Sequence, residues 1–195
     1  MRKYLTALPF LLLPSVALAH TGVGSTAGFL HGFEHPIGGL DHVFAMVAVG
    51  VFAFMLGTRA LWLVPSAFVG MMVVGFVLGV AQVDVPFVEL GIALSSIVIG
   101  GAAALGMSMP VSAAMALVGV FAIFHGHAHG AEMPEMAAGL TYAAGFITAT
   151  AALHAVGIAL AYGIATLVGQ YGRITARLAG GTFALGGVGV LLGWV

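Results

Sequence analysis

The sequence predicts an all-α membrane protein: six transmembrane helices following a cleaved N-terminal signal peptide. Three observations predict it. The chain has 195 residues, of which 62% are hydrophobic and 6% charged. Water-exposed domains carry about 25% charged residues, so most of this surface must face lipid. Apolar stretches recur at the length of about 20 residues that a bilayer core requires. The few arginines fall in alternate linkers, as membrane orientation demands.

The first element is residues 1–19. Arg2 and Lys3 form a positive n-region, Leu5 to Leu13 an apolar h-region interrupted by Pro9, and Ala17-Leu18-Ala19 an A-x-A cleavage site. An uncleaved first transmembrane helix is the rival reading, but the apolar run is short and both Pro9 and Pro14 break it. The remainder, 20–195, reads as one domain without internal repeats, with spans at about 36–56, 61–80, 86–105, 110–128, 136–168 and 174–195. Pro36, Pro86 and Pro110 each suit a first helical turn, where a missing N–H costs nothing. The fifth stretch is too long for one perpendicular crossing and should tilt or project beyond the bilayer. Short linkers make sequential helices antiparallel neighbours. Gly75-x-x-x-Gly79 and Gly189-x-x-x-Gly193 are spacings that let helices approach closely in lipid.

Cleavage after Ala19 leaves a chain with no lysine, three arginines and six acids. It also starts the mature protein in the periplasm. Arg59 then falls in the cytoplasmic linker after span one, and Arg173 and Arg177 in that after span five. Asp84, Glu132 and Glu135 fall in periplasmic linkers. The predicted location is therefore the bacterial inner membrane, with both mature termini periplasmic. There are no cysteines, which excludes thiolate metal sites, iron–sulfur clusters and a cysteine nucleophile. Without a Walker A lysine the chain has no P-loop, and without a basic patch it has no nucleic-acid partner.

Eight histidines in so uncharged a chain are the chemical signal. His31, His35 and His42 lie at the start of span one, and His125, His127 and His129 at the end of span four. The topology puts these groups, about 90 residues apart in sequence, at one periplasmic depth. His35 and His42 are seven apart and share a helix face, as do Glu34 and Asp41. His125 and His129 have the chelating i, i+4 spacing, while a regular helix points His127 elsewhere unless Gly126 and Gly130 unwind it. His154 lies deeper, within span five. Ionisable groups at membrane depth default to function, although any one interfacial histidine can simply bond a carbonyl. Asp41 suits an orienting role behind His42. Met46 reads as packing, and Glu89 as interfacial. His20, once N-terminal, could chelate through its amine and imidazole together. Imidazole ligands suit divalent nickel, cobalt, zinc and copper.

The stretch His35-Pro36-Ile37-Gly38-Gly39-Leu40-Asp41-His42, with Val43 to Gly50 after it, closely resembles the signature of the HupE/UreJ family. Phe124-His125-Gly126-His127-Ala128-His129-Gly130-Ala131-Glu132 resembles that family's second histidine-rich segment. Length, signal peptide and span count fit as well. The resemblance implies uptake of nickel, and in some members cobalt, for maturation of NiFe hydrogenase or urease. It implies a core site of His35, Asp41 and His42, with His125, His127, His129 and Glu132 contributing. The separate nickel/cobalt transporter family has a related motif with four residues between its histidine and its Asp-His. Here there are five, so that family's ligand geometry does not transfer.

The leading expectation is thus a permease, not an enzyme, whose cargo is Ni²⁺, with Co²⁺ or Zn²⁺ possible and no organic cofactor. His154, Thr148, Thr150, Ser95 and Ser96 are candidates for its inward path. Two other classes are consistent with histidines and acids in a bilayer. A b-type haem redox protein would use paired histidines on facing helices. A membrane metallohydrolase would use two histidines and an acid, though no HExxH is present.

Overall fold

The computed structural model describes residues 25–134 and 138–194, and these are all α-helical apart from short connections. The expected signal peptide, His20, Glu135 and Met136 lie outside the described residues. Seven helices follow in order: α1 (Ser25–Gly38), α2 (Leu40–Leu56), α3 (Ala60–Val80), α4 (Val88–Leu105), α5 (Val111–Ala131), α6 (Gly139–Val168) and α7 (Gly172–Leu191). Helices α3, α4, α5 and the stretch α6–α7 are long and apolar enough to cross a membrane. The α1–α2 pair passes the same test jointly, bent by 82°.

The first span begins differently from its sequence reading. Pro36 does not open a helix but sits buried inside α1, and the break falls at Gly39, which is extended (φ −104°, ψ 123°). The reason is local. Gly38-Gly39 is a weak helix-forming pair placed just after Pro36, and α1 finds its packing partner on α6 rather than continuing the line of α2. Pro86 stands two residues before α4, and Pro110 is the cap residue of α5.

Contacts fix the helix directions. Val47 and Gly50 of α2 meet Gly157 of α6, and Phe54 meets Tyr162, so these helices are parallel. Gly75 meets Ile123 and Gly79 meets Gly130, so α3 and α5 are parallel too. Phe76 meets Tyr142 and Phe68 meets His154, so α3 opposes α6. Gly100 meets Ala184 and Gly187 meets Ser96, so α7 opposes α4. Phe44 of α2 lies against Gly186, and the far end of α2 lies beside Gly172, so α7 opposes α2 as well. Helices α2, α4 and α6 therefore run one way, and α3, α5 and α7 the other.

Sequential helices alternate in direction, yet the closest interfaces join helices that are not consecutive: α3 with α5, α4 with α7, and α6 with both α1 and α2. Short linkers set direction but not partner. Partner choice follows the small-residue faces, since lipid offers no hydrophobic force between helices and close packing must do the work. Gly75 and Gly79 lie directly on the α5 backbone. Gly193 does not pack; it follows α7 in the left-handed region at φ +67°. One end of the bundle collects Arg173 and Arg177 around a cavity bordered by Leu56 and Gly57. The opposite end collects the histidines.

Candidate metal centre

Helix α5 shows how the sequence builds the site. Residues four apart share a face, and its three faces carry different residues. His125 and His129 point into the bundle and are fully buried. Gly126 and Gly130 lie against the backbone of α3 at Met72 and Phe76. His127 points a third way, where its Nε2 meets the Val83 carbonyl at 2.8 Å. The glycines thus do not unwind the helix end. They press it onto α3, the helix runs on to Ala131, and His127 stays outside the cluster.

The break at Gly39 delivers the other half. A Cβ at Gly39 would stand 2.6 Å from Asp41 Oδ1 and 3.2 Å from His42 Nδ1. Glycine therefore leaves room for the Asp41 carboxylate to fold back at the start of α2, where the helix dipole favours a negative charge. Asp41 accepts hydrogen bonds from the His42 backbone N–H at 2.7 Å and from Nδ1–H at 2.9 Å. With its proton held on Nδ1, His42 presents a free lone pair on Nε2.

The rings converge. His42 is 4.7 Å from His125, 5.3 Å from His129 and 6.0 Å from His35, between centroids. His35 is 4.8 Å from His129, and His129 stacks on Phe146 at 4.7 Å. One ring nitrogen each from His35, His42 and His129 lie within 4.8 Å of one another. Nitrogens on one ion at about 2.1 Å are roughly 3.0–3.4 Å apart unless they are trans, so closure by roughly an ångström would bring the three onto one ion.

His125 offers a fourth imidazole beside these three. The Ser95 hydroxyl donates its one proton to the Ile92 carbonyl at 2.5 Å. It can therefore only accept from His125 Nε2–H, at 2.9 Å, which leaves the Nδ1 lone pair of His125 free. Among the described residues, His42 Nε2, His125 Nδ1 and both nitrogens of His129 are buried without a hydrogen-bond partner. Each such group costs about 1–3 kcal/mol, and a cation among them would satisfy several at once. Rings this close leave no slot for a flat macrocycle, which disfavours the haem reading.

Outside the rings a cavity of about 510 Å³ opens, lined by His31, Glu34, His35, Asp41, His42, Glu89 and Glu132. Glu132 Oε2 lies 3.3 Å from His35 Nε2. His31 is exposed at the rim. Glu89, which from sequence looked merely interfacial, belongs to this mouth. Its signal was an acid in the first turn of a span, and only the packing of α4 against α5 shows what it faces. The hydroxyls divide. Thr148 is exposed and bonded to its own helix at Ala144, and Ser96 bonds the Ala93 carbonyl against α7. Thr150 is buried and faces α3. His154 is buried three turns below Tyr142, against Phe68.

Similarity to known proteins runs along the whole chain. A family model described as HupE / UreJ protein matches residues 8–191. Protein HupE of Rhizobium leguminosarum bv. viciae is 46% identical over 191 residues, covering 98% of this chain and 98% of that protein. No solved structure gives a significant match. With the His35–His42 and Phe124–Glu132 segments meeting in one centre inside the matched length, the chain belongs to the HupE/UreJ family.

Proposed function

We propose that this protein is a carrier for Ni²⁺, with Co²⁺ as the alternative cargo, moving the ion from periplasm to cytoplasm. The observation that carries this reading is the set of four converging imidazoles, with unpaired buried nitrogens on His42, His125 and His129, beside a mouth rich in carboxylates. Glu34, Glu89 and Glu132 attract the dication. His35 and Glu132 receive it, and His42, His125 and His129 replace part of its water shell, with Asp41 holding His42 in the tautomer that binds. In this reading residues 1–19 are a cleaved signal and 20–195 a single transmembrane domain. Helices α2 to α7 make six crossings of the inner membrane, and the arginine end is cytoplasmic.

Cells expressing the chain should accumulate radioactive nickel, with cobalt competing more effectively than zinc. Uptake equal to that of cells lacking the chain would overturn the reading. Uptake should also fall toward acid pH, because imidazole must be neutral to bind metal. Protons compete with the ion for the ring lone pairs, so the loss lies on the acid side. Uptake that rises as pH is lowered would mean that neutral histidines do not hold the ion.

The orientation has its own test. Reporter fusions near Arg59 and Arg173 should read as cytoplasmic, and fusions near Asp84 and at the C-terminus as periplasmic. A cytoplasmic C-terminus would refute six crossings.

A further inference from the structure

Beneath the outer cluster the interior does not become wholly apolar. His154 on α6 is 1% exposed, and neither ring nitrogen has a hydrogen-bond partner among the described residues. Thr150, one turn earlier, is fully buried and directs its hydroxyl at the Met72 thioether of α3, at 3.6 Å. Residues four apart share a helix face. Thr150 and His154 of α6 accordingly face Met72 and Phe68 of α3. The Phe68 ring, also fully buried, is 5.1 Å from His154 and 5.6 Å from His125 of the outer cluster. One aromatic side chain therefore touches both the outer group and the deep histidine.

We propose that His154, Thr150 and Met72 form an inner metal site, and that Phe68 is the partition a Ni²⁺ ion crosses to reach it from His42, His125 and His129. This rests on the nickel-transport reading. The donors are an imidazole nitrogen, a hydroxyl oxygen and a thioether sulfur, all neutral. The outer site has Asp41 and Glu132 beside it. An ion is consequently held more weakly inside than outside. Conduction needs that pattern, since binding must be favourable enough for the ion to arrive and weak enough for it to leave. A purely structural residue would have no reason to be histidine here. Leucine would fill the place against Phe68 without burying two unpaired nitrogens.

The test compares binding with transfer. The full chain is purified for equilibrium nickel binding, and reconstituted in phosphatidylethanolamine/phosphatidylglycerol vesicles for nickel delivery to the lumen. His154→Leu should bind nickel at the outer cluster with wild-type affinity and melt no lower than wild type. Its delivery should fall at least about tenfold, the scale on which losing one member of a metal site acts. The double variant Met72→Leu/Thr150→Val keeps volume and apolar packing, and should show the same split between intact binding and lost delivery. It also decides the matter if His154→Leu does not insert. Wild-type delivery rates in either inserted variant would overturn the inner site. Wild-type vesicles that stay empty would overturn the transport reading itself.

Discussion

Replacing His42 by alanine should abolish nickel uptake while leaving the chain inserted in the membrane. His42 is the hub of the centre: its ring lies within 4.7–6.0 Å of those of His125, His129 and His35. Among the described residues, no other ring of the centre lies this near the remaining three. It is also the ring whose tautomer is set by a carboxylate, through the 2.9 Å bond from Nδ1 to Asp41. Losing an outer partner of a metal-binding histidine costs about 10–100-fold in affinity, and losing the histidine itself should exceed that. Asp41→Asn should therefore be the milder change, about 10–100-fold, because an amide oxygen still accepts from Nδ1–H but carries no charge. His42→Ala removes a ring already edged by the open mouth, so insertion should survive. Uptake near the wild-type level in inserted His42→Ala would remove His42 from the site. The same result for Asp41→Asn alone would leave the ring in place but remove the tautomer argument.

What could be read from the sequence was whatever charge or spacing marks. The i, i+4 pair His125/His129 and the Asp41-His42 dipeptide stand out in a chain with so few ionisable residues. The arginine distribution orders the linkers. The bend at Gly39 was not legible, because Pro36 gives the same local signal at a helix start as near the end of a short helix that packs elsewhere. Only the seating of α1 on α6 decides between them. Thr150 stands with His154 as a candidate for the inward path in the sequence, but Phe68 and Met72 were not legible, for a different reason. They look like any other apolar span residues, and they acquire meaning only from the pairing of α3 with α6. Glycine content said that helices would be close, but not which ones. That information resides in which face each glycine occupies, and it appears only when two faces are matched.

Gly50→Val should be among the most damaging single changes to the fold. Gly50 lies where α2 crosses α6. A Cβ there would meet the His154 carbonyl oxygen, and would stand 2.8 Å from Ile158 N and 2.9 Å from Gly157 Cα. Every one of these atoms is backbone, so none can swing aside, and the helices themselves must part. Overpacking costs typically 1–3 kcal/mol; a backbone clash belongs at about 3 kcal/mol or above. In lipid no hydrophobic force pulls the helices back together once contact is lost. The consequence reaches the chemistry as well, because His154 is held against Phe68 by this same crossing. Gly163 of α6 provides the control: a Cβ there meets nothing within 4 Å. Membrane-inserted protein and melting temperature in detergent should therefore fall sharply for Gly50→Val and stay near wild type for Gly163→Val. Equal melting of Gly50→Val and wild type would mean that α2 and α6 are not packed at this crossing, and that the depth assigned to His154 is wrong.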